Sequence, residues 1–459
     1  MNIYLYLKNL FLSLTPRTKL IIREFKLNRS FNYVWGMKHS GLHLRRKKGK
    51  SSPVYLEDGF IHSLGYLKSK VPFSICFDKK GIFYNFNSKS DLFKYLKEDL
   101  SKENILRSNK IIKLWKEYSI SKYNFPNFIE PPSEKYILLI DQIYGDLSIY
   151  YGGARRDSFN EMFKYASKNW PNHKIVIKVH PDVINFKKNG CLDRDFYGRK
   201  NVIVISALGQ INKLIEFSSA VCVVTSQVGF EALIYGKEVH VFGRPFYSGL
   251  GLTIDHLAEK NKQQKLNLCT VEKLVFTVLV RYQFFLDPRT KRLCEVEEII
   301  QYINHLRKVS NFLPNDFQGI NLTPWKARQI NRFVYPIKNK KVTFFQRFNI
   351  KKKNIIVWGK NSKFDSYISK VDDFISVEDG FIRSVGLGAE LYPPLSLLFD
   401  KKGIHYDASR SSDLEYLLQN FNVNRNEIIR ARRIIDLIIK LKISKYNLRL
   451  KKKMNLPNN

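Results

Sequence analysis

Between residues 135 and 310 the chain alternates continuous apolar runs with stretches of helical period. KYILLID (135–141), KIVIKVH (174–180), NVIVIS (201–206), AVCVVTS (220–226) and EVHVFG (238–243) predict strands buried on both faces. SFNEMFKYASKNW, GQINKLIEFSS and GFEALIYG predict the helices between them, the last stopped by Gly236 as a C-cap. Strand–helix alternation of this kind predicts a parallel, doubly wound sheet.

Outside that region the pattern occurs twice. Leu56–Tyr84 reads LEDGFIHSLGYLKSKVPFSICFDKKGIFY, and Val377–Tyr406 reads VEDGFIRSVGLGAELYPPLSLLFDKKGIHY. Val-Trp-Gly precedes both blocks, at Val34 and Val357, and Ile-Ser-Lys-Tyr-Asn follows both, at Ile120 and Ile443. Two helices are predicted after each block. Ser412-Asp413-Leu414-Glu415 is a capping box, whereas Ser90 has Phe93 where the box needs an acid. The two copies cover roughly 34–124 and 357–447, so they are a tandem duplication and not a solenoid. Residues 316–356 are expected to be a basic connector with two prolines and no clear period.

A length of 459 residues is too great for one core, and 44% hydrophobic content supplies several. A net charge of +37 implies an anionic partner: nucleic acid, an anionic membrane surface or phosphorylated substrates. Richness in Lys, Asn and Ile is the alternative source of that charge. The positive charges are spread and not striped, and no nucleic-acid motif is present, so no nucleic-acid partner is expected. Five cysteines without metal-ligand spacing fit buried thiols in a reducing compartment. No uninterrupted apolar run reaches the length of a spanning helix. MNIYLYLKNLFLSLTP lacks a basic start and a small-x-small site, so it reads as an interfacial segment, not a cleaved signal.

In open α/β sheets, ligands bind beyond the carboxyl ends of the strands. Three predicted strand ends carry polar clusters: Asp141-Gln142-Ile143-Tyr144-Gly145-Asp146, His180-Pro181, and Thr225-Ser226. Thr225 and Ser226 enter a helix start, which suits an anion, although plain capping by Ser226 is the alternative. Glu231, a turn further on, is placed to accept from ribose hydroxyls. Lys178 shares a strand face with His180 and supplies charge. Asp146 and Asp141 are each a base, a nucleophile or a turn former. Glu57 and Asp58 before Gly59 are either a sugar- or acceptor-binding pair, with Ser63 and Gln142, or an Asx turn with Gly59 at positive φ. Arg289 and Arg292 read as a solvated loop.

Taken together, EDGFIRSVGLG, DKKGIHYD, KVHPD, TSQVGFEALIYGKEVHVFGRPFYSGLGLT and DPRTKRLCEVE resemble the KpsC/LipA capsule proteins, dual-module β-Kdo glycosyltransferases. The resemblance implies a GT-B-like α/β fold: two Rossmann-like domains with an interdomain crevice, plus a truncated repeat of the first domain. It places a lead-in at 1–30, an acceptor-side domain at 31–150 and a nucleotide-sugar domain at 151–315. A connector at 316–353 and the front half of a second module at 354–459 follow. It implies CMP-Kdo as donor, retention of configuration, and a Kdo-primed phosphatidylglycerol acceptor. His180, Pro181, Thr225 and Ser226 then hold the CMP phosphate, Glu231 lies near the ribose, and Asp146 is the nucleophile with Asp141 as second choice. No metal and no cofactor are expected. The implied setting is the cytoplasmic face of the inner membrane, beside the capsule biosynthesis and export machinery. His62 stands where the second copy has Arg383. The second copy lacks counterparts of Asp146, His180, Ser226 and Glu231, so it is expected to be inactive. The alternative is a remnant or interaction subunit that binds CMP-sugar or lipid without turnover.

Overall fold

The computed structural model describes residues 16–28, 30–38, 52–65, 71–180, 182–183, 188–257, 269–313, 318–320, 322–338, 343–345, 354–360, 373–423 and 425–448. The chain divides into two compact units, Met1–Lys308 and Val309–Asn459. In chain order the strands of unit 1 are β1 (Tyr33–Trp35), β2 (Val54–Asp58), β3 (Ser63–Leu64), β4 (Ser74–Asp78), β5 (Tyr123–Asn124), β6 (Tyr136–Ile140), β7 (Lys174–Lys178), β8 (Val202–Ile205), β9 (Ala220–Val223), β10 (Glu238–Val241), β11 (Ile254–Asp255), β12 (Gln283–Asp287) and β13 (Arg292–Cys294).

Six of them form a parallel sheet in the order β11-β10-β9-β6-β7-β8, as the apolar runs predict. β6 and β9 are buried at every residue. The helix Arg156–Asn169 packs Phe159, Met162, Phe163 and Ala166 onto one face. The helix Val228–Ile234 is buried along its length and ends before Gly236, whose φ of +73° suits only glycine well. Because β6, β7 and β9 are parallel neighbours, with Ile140 beside Lys178 and Leu139 beside Cys222, their carboxyl ends open on one edge.

The other sheet runs β1-β2-β4-β12-β13. Only its β1–β2 pair is parallel, so the first domain is a mixed sheet and not the Rossmann-like one expected. Two expected boundaries also change. β6 lies before residue 150 yet belongs to the six-stranded sheet, while β12 and β13 return to the first sheet. The return joins the two sheets. Phe60 packs against Phe230 and Phe246 at ring distances of 5.9 and 5.1 Å. Gln227 Nε2 donates to Phe60 O at 2.8 Å, and Phe60 N donates to Gln283 Oε1 at 3.0 Å. Arg307, in the helix Val296–Phe312, donates to Ser119 O and Asn124 Oδ1, both at 3.0 Å.

Unit 2 contains β14 (Gln318–Ile320), β15 (Thr343–Phe345), β16 (Asn354–Trp358), β17 (Asp373–Asp379) and β18 (Leu397–Asp400), in the order β15-β14-β16-β17-β18. The expected connector therefore supplies two strands and the helix Pro324–Lys338. Ala327, Ile330 and Val334 of that helix form a core with Ile356, Ile375 and Val377. A signal for it exists in the sequence: Leu322-Thr323-Pro324 repeats Leu14-Thr15-Pro16, and Pro16 also opens a helix, Pro16–Glu24. The two DKKG turns are alike. Asp78 Oδ1 accepts from Lys80 N and Gly81 N, as Asp400 Oδ1 does from Lys402 N and Gly403 N. The capping box at Ser412 forms, and Ser90 caps alone.

Candidate active site

A cavity of about 380 Å³ opens in unit 1 at the carboxyl edge of the parallel sheet. Glu57, Asp58, Asp141, Gln142, Asp146, Lys178, His180, Thr225, Ser226 and Glu231 all line it. Sequence positions spread over more than 170 residues thus converge, because each lies at a strand end or the helix start that follows one.

The two candidate aspartates have different tasks. Asp141 is fully buried, and its Oδ1 accepts from the backbone N–H groups of Gln142, Cys191 and Leu192 at 2.9, 3.0 and 3.0 Å. Its Oδ2 faces Tyr197 Oη at 3.5 Å. Burial pushes its pKa up, against the pull of those N–H groups. It anchors the 190–192 loop through Oδ1, and Oδ2 has only the long contact to Tyr197. Asp146 follows Gly145, at φ +84°, and caps the helix Leu147–Tyr151 through Oδ1, 2.9 Å from Ser148 N. It is only partly buried and faces the cavity.

Gln142 was expected to meet sugar. Instead its amide ties two strand ends together. Its Oε1 accepts from Thr225 N at 2.9 Å, and its Nε2 lies 3.0 Å from Thr225 Oγ1. Ser148 Oγ lies 3.2 Å from that same hydroxyl. Ser226 Oγ accepts from Val228 N at 3.2 Å, and Tyr247 Oη donates to Ser226 O, so the anticipated helix start is well ordered by its own contacts.

His180 Nδ1 accepts from Asp182 N at 3.1 Å, which leaves the ring hydrogen on Nε2. Burial, then the charge of Lys122, lowers its pKa to about 4, so at neutral pH it is an uncharged donor. Lys178 donates to Val179 O at 2.8 Å, and burial lowers its pKa to about 8. Pro181 lies outside the described residues. Glu231 is 1% exposed. Its Oε1 accepts from Lys122 N and Gln227 Nε2, both at 3.2 Å, while Oε2 is buried with no hydrogen-bond partner. Burial raises its pKa to about 7. A buried oxygen without a partner suits a ligand hydroxyl.

On the opposite wall, Glu57 Oε1 accepts from Trp35 Nε1 at 3.1 Å, and Oε2 lies 3.4 Å from Tyr84 Oη. Burial, then the neighbouring Asp58 charge, raises its pKa to about 7. For Asp58, burial acts upward but is outweighed by His62 and Arg17, and its pKa falls well below the carboxylate range. Phe60 N donates to Gln283 Oε1, where an Asx turn would direct it to Asp58, and Gly59 does not have the expected positive φ. Its reason is space: a Cβ would lie 2.1 Å from Ser74 Oγ and 2.5 Å from Gln283 Oε1. Ser63, also expected at the site, is buried outside the cavity and donates to Gly65 O at 2.8 Å. Arg289 pairs with Asp287 at 2.8 Å, away from the cavity.

Sequence reasoning missed Lys122, Tyr123 and Lys38, which also line the cavity. Burial lowers the Lys122 pKa, but Tyr123, Asp58, Glu57 and Asp146 outweigh it, and it stands at about 12. The signal was the Ile-Ser-Lys-Tyr-Asn segment, which marks the end of each copy and in unit 1 also forms a wall. The cavity thus combines cations for a phosphate or sugar carboxylate, neutral donors at His180, and carboxylates of unequal proton affinity. This combination can bind an anionic ligand and move a proton.

Comparison with known proteins gives the same direction. The chain is 30% identical over 415 residues to the capsule polysaccharide modification protein LipA of Neisseria meningitidis serogroup B, covering 86% of this chain and 59% of LipA. It is 29% identical over 262 residues to the lipopolysaccharide-processing protein LpsZ of Rhizobium meliloti, covering 54% of this chain and 58% of LpsZ. The chain therefore spans about three fifths of the length of these relatives. Among solved structures, Thermosulfurimonas dismutans KpsC, a beta Kdo 2,4 transferase, matches at 31% identity and a TM-score of 0.54, covering 59% of this chain and 86% of that one. The model of the family described as capsule polysaccharide biosynthesis protein matches residues 109–285 and 353–455, more than half of the chain, and the protein belongs to that family as a KpsC/LipA-type member.

Proposed function

We propose that unit 1 transfers β-Kdo from CMP-Kdo in capsule polysaccharide synthesis, with a GT-B-like crevice as its active site. The observation that carries this reading is the convergence of Asp146, His180, Thr225, Ser226 and Glu231 on one cavity. His180 Nε2–H and the Thr225–Ser226 segment receive the CMP phosphate, and Glu231 Oε2 receives a ribose hydroxyl. Lys122 and Lys178 balance the charges of the phosphate and the Kdo carboxylate. Asp146 attacks the anomeric carbon as the C–O bond to CMP breaks. The acceptor hydroxyl then attacks the same carbon and releases Asp146, so that two displacements retain configuration. Glu57, with its pKa near 7, takes the acceptor's proton. The acceptor is a Kdo-primed phosphatidylglycerol at the inner leaflet, where the net charge of +37 favours an anionic surface. No helix among the described residues is long and apolar enough to cross a membrane.

The test is CMP release from CMP-Kdo generated in situ, with a Kdo-primed lipid mimic as acceptor. Without acceptor, wild type releases CMP only up to the one equivalent of the first displacement and turns over only with acceptor, and Asp146→Ala lowers turnover by at least about a hundredfold. Wild-type turnover in Asp146→Ala removes the nucleophile assignment. CMP binding without release in wild type replaces the enzyme with a binding protein.

A further inference from the structure

The two EDGF blocks differ at a buried polar position, and the structure shows how each copy handles it. In unit 2, Arg383 Nε donates to Asp379 Oδ2 at 2.7 Å, and its NH1 donates to Ser384 Oγ and Tyr392 O, both at 2.9 Å. Its guanidinium carbon stands 6.0 Å from the Tyr446 ring. In unit 1 the same position is His62. The imidazole reproduces two of these contacts: Nδ1 lies 3.0 Å from Ser63 Oγ, and the ring lies 5.6 Å from Tyr123. It falls short on the third, with Nε2 at 3.5 Å from Asp58 Oδ1.

The missing guanidinium comes from another element. Arg17, in the helix Pro16–Glu24, donates through NH2 to Asp58 Oδ1 at 2.6 Å. The same nitrogen lies 3.3 Å from His62 Nε2, and the guanidinium carbon stands 5.1 Å from the Trp35 ring. Arg17 follows the first Leu-Thr-Pro, and the residue after the second Leu-Thr-Pro is Trp325. Trp325 lies 6.4 Å from Trp358, the counterpart of Trp35, and Lys326 stands over that ring at 5.2 Å. The two positions thus read Arg17 and His62 in one unit, Trp325 and Arg383 in the other. Each unit has one arginine on its EDGF aspartate, delivered from a different helix or loop.

We propose that Arg17 is a positioning residue of the unit 1 cavity, supplying to Asp58 the guanidinium that Arg383 supplies to Asp379. Arg17 does not line the cavity; Asp58 does. The arginine therefore acts through Asp58, holding that carboxylate charged and in place beside Glu57, Lys122 and Tyr123. Its contacts to Asp58 and His62 both come from one guanidinium nitrogen, while the guanidinium carbon stands over the Trp35 ring. The activity arm of the test rests on the transfer reading above; the stability arm does not.

The experiment compares Arg17→Ala, Arg17→Trp/His62→Arg and wild type. The Arg17 side chain is 39% exposed, so its removal leaves the core intact. Arg17→Ala lowers kcat/KM for transfer by at least about tenfold. The double swap, which recreates the unit 2 pair, returns it to within about threefold of wild type. A double swap no better than Arg17→Ala overturns the proposal, as does full activity in Arg17→Ala. If wild type itself transfers no sugar, the transfer reading fails and urea unfolding decides this one. Arg17→Ala then lowers the midpoint and the double swap restores it; failure to restore overturns the proposal.

Discussion

Glu231 makes stability depend on pH in a way the structure specifies, and Glu231→Gln removes that dependence. In the folded chain burial raises the Glu231 pKa from 4.5 to about 7. Between those values the folded state keeps a proton that the unfolded state has released. Stability must therefore fall as pH rises from about 4.5 to about 7, then level off. At about 1.4 kcal/mol per tenfold change in proton affinity, the full loss is about 3 kcal/mol. The glutamine variant cannot ionise. Its amide oxygen replaces Oε1 toward Lys122 N and Gln227, and its N–H₂ takes the place of the partnerless Oε2. That unpaired donor costs about 1 kcal/mol or more at every pH. Relative to wild type, the variant gains about 3 kcal/mol between pH 4.5 and pH 8, on top of a constant offset. Urea unfolding of both proteins at pH 5, 6, 7 and 8 at fixed ionic strength measures the gain. Glu57, also raised to about 7, is common to both and drops out of the difference. A stability difference that stays constant across pH would refute the buried, protonated carboxyl.

Two further perturbations separate scaffold from surface. Phe60 is 1% exposed, and its counterpart Phe381 is 58% exposed. Phe60→Ala costs about 3 to 5 kcal/mol, whereas Phe381→Ala costs under about 1 kcal/mol. Hydrogen exchange in urea reads the units separately, and equal losses would show that the cover from Phe230 and Phe246 is unimportant. Gln142→Ala cuts the link between β6 and the Thr225 strand end, costing about 2 to 3 kcal/mol and weakening CMP binding. Urea midpoints and CMP titration check it, and no change in either would strip Gln142 of its scaffold role.

The sequence by itself determined the parallel sheet, its helices and which strand ends carry polar residues. Buried parallel strands must be apolar on both faces and their helices periodic, so KYILLID and AVCVVTS declare themselves from local pattern alone. It also showed the recurrence of EDGF and DKKG, of which the DKKG turns are made by contacts two or three residues apart. Tertiary structure decided how each polar atom is used. Asp141 and Asp146 are alike in sequence and both line the cavity, yet loop 190–192, far along the chain, takes Oδ1 of Asp141, whereas Asp146 caps the helix that follows it. The same holds for Gln142, drawn to Thr225, and for Gly59, kept small by Ser74 and Gln283. β12 joins the first sheet only after the chain has built the second, which no local period encodes. His62 reads as a defect in the motif until Arg17, 45 residues earlier, is seen on the same aspartate. Local pattern reports what neighbours along the chain require; hydrogen-bond capacity is spent between residues that only folding brings together.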